Sequence, residues 1–273
     1  MVKMKIYCVT NIELKYLEQL NLNLAGVGNK KFKKRYISSL SGKNIQSKER
    51  NYSELTFHYW FWKNELKKLD KNLWVGFCQK RRFWLQSKKK ITNFKQLQKF
   101  ILKKPPKKWS DYESIICKPI KIDNPKKMKL LKRGYKNLLK DPSIIYDKKK
   151  QNIKLHFDMH HGFGILDKAI NHLKKSERIL FRKFVNENSS FNPHIMFISK
   201  KKIIDKWFKS LFSWLFSCEK EFGLKNLKGY DQQRLYAYLA ERYLSFWFKK
   251  NTKYLEWHWT FFEKKLTHKL NED

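Results

Sequence analysis

Two adjacent arginines, Arg81 and Arg82, follow directly on an apolar run. A guanidinium grips phosphate oxygens through paired N–H donors, so such a pair can neutralise the charge on a departing diphosphate. Arginine is scarce in this chain, 9 of 62 basic residues, so each one carries more information than a lysine does. Two acids have positions suited to taking a proton from a hydroxyl. Asp231 opens a helical pattern just after Gly229, and Glu54 stands among aromatic residues, where a carboxylate needs a partner. Thr10 and Asn11 close an apolar, β-rich run, where polar groups can edge a pocket. Asp158, His160 and His161 invite a metal, but their spacing matches no recognised metal site, so a structural or ligand-contacting role is favoured. Each also has a plain structural reading: surface cations, an N-cap at Asp231, a polar loop start at Thr10.

The elements that must position these groups follow from periodicity. Residues 5–10 (KIYCVT), 72–78 (NLWVGFC), 114–119 (SIICKP) and 191–199 (FNPHIMFIS) read as buried strands. Residues 54–69 read as a deeply packed aromatic helix, 164–187 as helical, and 203–222 as a helix with a clear apolar face. Asp231 is placed to cap a helix running to about 248, on which Glu241 can pair with Arg234 or Arg242. Strands alternating with helices predict an α/β layered fold with a largely parallel sheet. Residues 86–110, with Pro105-Pro106, and 121–152 read as basic surface excursions, and the segment around Gly26, Gly28 and Gly42 as loop.

The chain has 273 residues, a net charge of +38 and an aromatic fraction of 16%, which excludes a disordered basic tail and fits one large domain or two closely packed halves. The charge calls for an anionic partner. Most of it is scattered lysine, as an AT-rich coding sequence would produce. Cys8, Cys78, Cys117 and Cys218 lie far apart without ligand spacing and read as buried free thiols in a reducing compartment. The first fourteen residues do not read as a cleavable signal, and the sequence contains no run of about 20 apolar residues.

Longer motifs sharpen this. Asn51-Tyr52-Ser53-Glu54-Leu55-Thr56 with Tyr59-Trp60-x-Trp62-Lys63-Asn64 resembles the N-Y-x-E-L-T-x-x-Y-W-x-W-K-N signature of a bacterial glycosyltransferase family of capsule and exopolysaccharide clusters, formerly classed as a domain of unknown function. Gly76 to Trp84 stands where that family has G-L-C-H-Y-R-R-Y-F, with Gln79-Lys80 replacing its His-Tyr. Asn192 to Lys202 resembles its N-M-F-I-M-K-K strand, and Gly229-Tyr230-Asp231, Gln233-Arg234 and Leu239 to Arg242 its G-Y-D, Q-R and L-S-E-R helix.

The resemblance implies a single GT-A-like (Rossmann-like) nucleotide-sugar-binding domain over 1–273, with a donor half at about 1–120 and an acceptor half at about 153–250. It implies a hexosyltransferase-type enzyme using a UDP-sugar and a saccharide or lipid-linked acceptor. Thr10, Asn11, Arg81 and Arg82 would hold the donor. Asp231, or else Glu54, would be the base, and His160, His161, Asn192 and Arg234 would meet the acceptor. Rings such as Trp84 or Trp109 are candidates to stack on sugar. A divalent metal, Mn or Mg, stays open as cofactor, although the chain has no Asp-x-Asp to hold it. The expected location is cytoplasmic, peripheral at the inner face of a membrane, with anionic lipid as a partner. A basic nucleic-acid-binding protein is the alternative from another class, without any nucleic-acid-binding signature, and an inactive transferase-like scaffold is a third.

Overall fold

The apolar run near the N-terminus forms a central strand, β1 (Met4–Thr10), because its side chains alternate between two interiors. Tyr7 and Val9 face one core, Ile6 and Cys8 the other. The computed structural model describes residues 3–28 and 30–263, so the last ten residues of the single-domain expectation lie outside the described residues. After β1 come β2 (Asn23–Gly26), β3 (Ile37–Ser38), α1 (Glu49–Tyr52), α2 (Leu55–Asn64), β4 (Trp74–Gln79) and β5 (Arg82–Trp84). The middle holds α3 (Phe94–Phe100), β6 (Ser114–Cys117), β7 (Ile120–Lys121), α4 (Lys127–Arg133) and α5 (Tyr135–Lys140). Then follow α6 (Ile153–His161), α7 (Ile165–Asn171), α8 (Lys175–Glu187), β8 (Ser190–Phe191) and β9 (Phe197–Lys200). The chain continues through α9 (Lys201–Phe222), α10 (Tyr230–Gln233), α11 (Leu235–Asn251), β10 (Tyr254–Trp257) and β11 (Trp259–Phe261).

The central sheet runs in the order β10-β6-β9-β4-β1-β2-β3. It is mostly parallel. Only β9 runs against its neighbours in that path, and β5 turns back on β4 to pair with β11. Helices α2, α9 and α11 pack on one face, where Phe77 meets Phe61 and Phe197 at ring-centroid distances of 5.2 and 5.1 Å. Truncating Phe77 to Ala should cost about 3–5 kcal/mol in denaturant unfolding, because no solvent can fill the gap. The other face is closed by Trp84, Trp109 and Trp257.

Several sequence expectations change here. The aromatic helix stops at Asn64, and a 3-10 turn carries residues 66–68. The glycine-containing loop hides β2 and β3, which are too short to show a period. The run 191–199 splits, Phe191 pairing with Ile120 in a separate ribbon while β9 joins the main sheet. Within the basic excursion 86–110, Leu97 and Trp109 are buried. The 164–187 pattern is two helices separated by a turn. All four cysteines are buried as free thiols.

Candidate active site

Parallel strands end together, so the carboxyl ends of β1 and β4 bring Thr10 and Gln79 to one edge. Strand β9 runs the other way, and therefore starts at that same edge, delivering His194 and Ile195. A cavity of about 380 Å³ opens there. Its walls come from six short segments, one of them the single residue Val27 after β2.

At the end of β1, Thr10 Oγ1 donates to the carbonyl of Ile12 (2.5 Å), and Asn11 Oδ1 accepts from Lys80 Nζ (2.6 Å). The β4–β5 hairpin turns on Lys80-Arg81 and supplies Gln79, Lys80, Arg81 and Arg82. Arg82 Nε donates to His194 Nε2 (2.9 Å) and its Nη1 to Gln79 Oε1 (3.2 Å). Arg81 pairs with Glu263 at 3.1 Å, while its buried Nε has no hydrogen-bond acceptor among the described residues. The head of α2 adds Ser53 and Glu54, and the Gln79 amide donates to Glu54 Oε1. From α11 and the residue before it come Arg234, Ala237, Tyr238 and Glu241. Their spacing of three, four and seven places them on one helical face.

Backbone strain marks the same place. Ser53 (φ 51°, ψ −129°) and His194 (φ 64°) adopt positive φ without being glycine or asparagine, and both line the cavity. Glu241 holds the His194 turn: its Oε1 accepts from the His194 backbone N–H (2.5 Å), and its Oε2 accepts from Arg242. Arg242 is itself buried, its guanidinium lying 3.9 Å over the Phe191 ring. Burial, reinforced by Arg82 and Arg242, keeps His194 neutral by pushing its pKa down. With Nε2 accepting from Arg82, the ring proton resides on Nδ1, towards Glu241.

The electrostatics favour an anion. Four cationic side chains, Lys80, Arg81, Arg82 and Arg234, face two carboxylates, Glu54 and Glu241. Burial depresses the Lys80 pKa, and Arg81 and Arg234 depress it further. An arriving phosphate reverses that penalty. Close behind the wall, burial raises the pKa of Glu49, with Glu54 adding and Arg234 opposing. A divalent cation does not fit this donor set, because such ions need several oxygen ligands and the carboxylates here are outnumbered by cations. Among the described residues no three His, Cys, Asp or Glu side chains gather as a metal cluster.

Of the residues singled out by sequence, Thr10, Asn11, Glu54, Arg81, Arg82 and Arg234 line this cavity. Asp231 does not. It lies within the short helix α10, and the chain breaks at Arg234 (φ −93°, ψ 31°) before α11 begins. That break turns Asp231 outward, where it pairs with Arg133 at 3.2 Å and caps nothing. His161 is also outside the lining: its Nδ1 meets the Asp231 carbonyl oxygen (2.9 Å) and its ring stacks on Tyr238 at 3.8 Å, bracing that wall from behind. His160 stacks on His156 at 4.4 Å. Asn192 is wholly buried, donating to the carbonyl of Cys117 (2.6 Å) and to Glu256 (3.1 Å), so it ties strands together and does not line the cavity. Trp84 and Trp109 are core residues, closed to sugar.

Sequence reasoning missed His194, Tyr238 and Lys80, and gave Glu241 only a structural part. The Arg234-to-Glu241 helical spacing was the available signal for the last; nothing local marks His194.

The comparisons with known proteins agree with this architecture. The apo structure of the bifunctional glycosyltransferase WbbM superposes with a TM-score of 0.65 at 19% identity, over 96% of this chain and 46% of that one. At that identity the likeness is one of fold, and this chain spans less than half of the WbbM chain. No curated protein matches. Among the described residues no helix is long and apolar enough to cross a membrane. Residues 5–252 match the family model described as "Domain of unknown function (DUF4422)", and with nearly the whole chain inside that match, it belongs to this family.

Proposed function

We propose that the chain is a GT-A-like glycosyltransferase that moves a hexosyl group from a nucleotide sugar, with UDP as the default carrier, to a saccharide or lipid-linked acceptor in surface polysaccharide assembly. The observation that carries this reading is the convergence of Lys80, Arg81, Arg82 and Arg234 with two carboxylates on one cavity at the strand ends. Its volume suits a small ligand and is far too narrow for a nucleic-acid duplex. The fold shared with WbbM supports the same reading.

In this scheme Thr10 and Asn11 edge the nucleotide, and the four cations hold the diphosphate. As the acceptor oxygen bonds to the anomeric carbon, the diphosphate leaves with the electron pair of the broken bond, and the guanidinium groups neutralise it. The acceptor proton passes to Glu54. Its Oε1 is engaged by Gln79, and Oε2 has no protein partner among the described residues. Glu241 has both oxygens occupied, so it is a positioning residue that holds His194 and, through it, Arg82.

Thermal unfolding against a panel of nucleotide sugars tests this. At least one donor should raise the Tm of the wild-type protein, and Arg81→Ala/Arg82→Ala should abolish the rise. Flat curves across the whole panel would overturn the reading.

A further inference from the structure

Among the described residues, half of the exposed large hydrophobic side chains lie in one short segment. Met128, Leu131, Tyr135, Leu139 and Tyr146 fall within nineteen residues, and Met128, Leu139 and Tyr146 are 76%, 80% and 84% exposed. Their placement is ordered. On α4 and α5 the inward side is already used: Leu130 packs with Ile144, Leu155 and Met159, Gly134 closes on the Leu130 carbonyl, and Asn137 donates to Asp158. Met128 and Leu131 are one turn apart on α4, and Tyr135 and Leu139 one turn apart on α5. They are therefore left on the outer side, Leu131 and Tyr135 half exposed and Tyr135 with the Lys136 ammonium 5.9 Å from its ring centre.

Cations flank this apolar stripe. Lys127, Lys129, Lys132, Lys136 and Lys140 interleave with it, residues 126–140 contain no acid, and none of these five lysines is ion-paired among the described residues. A polynucleotide would use the lysines and gain nothing from Leu139 or Met128. Apolar side chains projecting among unpaired lysines match the surface of an anionic bilayer, where the chains enter the acyl boundary and the ammonium groups meet headgroup phosphates. We propose that the α4–α5 face is a docking surface for anionic lipid membranes.

The surface lies next to the cavity wall. Arg133 at the end of α4 pairs with Asp231, three residues before the cavity-lining Arg234. Docking through α4–α5 thus sets the α10–α11 wall beside the membrane, where a lipid-linked acceptor would be met. The lipid affinity itself does not depend on the chemistry in the cavity.

Co-sedimentation of the full chain with vesicles gives the test, using phosphatidylcholine alone and phosphatidylcholine mixed with phosphatidylglycerol. The wild-type protein should bind the mixed vesicles only. Met128→Ser/Leu139→Ser should weaken that binding at least about tenfold at unchanged net charge. Because both side chains are exposed, circular dichroism and Tm should not move. As a charge control, Lys88→Gln/Lys89→Gln/Lys90→Gln should bind as wild type does, whereas Lys127→Gln/Lys132→Gln/Lys136→Gln should not. Three outcomes overturn the proposal: equal loss in both lysine triples, wild-type binding by the Met128/Leu139 variant, or a dimer in sedimentation equilibrium that this variant dissolves.

Discussion

Two corners of the cavity carry an arginine with a neighbouring charged residue, and they end differently. In the β4–β5 hairpin, Arg81 and Arg82 both reach the lining. At the α10–α11 corner, Arg234 reaches it while Asp231, three residues earlier, points away to Arg133. The hairpin is fixed at both ends by its strand, since Gln79 pairs with Arg82 and the residue after β11 bonds back to the Arg81 carbonyl. The helix start is held instead by single side-chain bonds, from His161 to the Asp231 carbonyl and from Asn51 to the Gln233 carbonyl, with no strand on either side. Each residue advances about 100° around the axis, so a break at one position redirects everything before it. Chemistry inferred from a tight hairpin is safer than chemistry inferred from a helix start.

The largest effect should separate the carboxylates. Glu54→Gln should lower turnover by about 10²–10⁴-fold and leave the donor-induced rise in Tm intact, because only the proton acceptor is lost. Glu241→Gln should cost less in turnover and weaken donor binding, since it releases the His194 turn that supports Arg82. Single-turnover sugar transfer with the same donor reads both. Full activity in Glu54→Gln would move the base elsewhere.

Next comes the hairpin itself. Arg82→Ala should lower kcat by about 10²–10³-fold, the scale of removing one donor from a developing charge. Arg82→Lys should recover little, because an ammonium cannot make the separate bonds to His194 and Gln79 and still face a phosphate. Recovery of most activity by lysine would reduce the hairpin to generic positive charge.

Acid tests the packing behind both corners. Burial pushes His58, which lies against Phe77 of β4, down to about 3, and does the same to His161 behind Tyr238. A histidine depressed in the folded state is protonated first in the unfolded chain. Its stabilisation is complete above about 6.5 and drains away as pH falls towards 3. Each can remove up to about 1.4 kcal/mol per pH unit in that window. The Tm should fall between pH 7 and 5, and His161→Gln should flatten the slope by the share of one histidine. A wild-type Tm that is level over this range would mean the rings are already charged.

What the sequence made legible follows the same division. The continuous β-rich apolar runs KIYCVT and NLWVGFC identified β1 and β4, and with them the edge that holds Thr10, Asn11 and Arg81-Arg82. The apolar face of α9 was equally plain. Strands of two or three residues, such as β3, β5 and β11, have no period to detect, and they form because a neighbouring strand offers an open hydrogen-bonding edge: β2 for β3, and β5 for β11. His194 could not be read because its role rests on a positive-φ turn enforced by Glu241, forty-seven residues away. Asn192 misled for the opposite reason: a polar residue inside a motif was doing structural work, satisfying a carbonyl between strands.

The smallest predicted effect bears most directly on the difference between the two corners. Asp231 and Arg133 form an ion pair whose side chains are 47% and 45% exposed, so solvent screens it heavily. Asp231→Asn should change stability by no more than about 0.5 kcal/mol and turnover by less than about twofold, with donor binding untouched. The backbone carbonyl that accepts from His161 is unaffected by that substitution, so the wall behind Tyr238 stays braced. Turnover of Asp231→Asn is measured beside Glu54→Gln under the same saturating donor. Should the aspartate variant fall a hundredfold while the glutamate variant stays active, α10 must swing during catalysis, bringing Asp231 round the Arg234 break into the cavity. The corner would then be a moving part and the hairpin its fixed counterpart.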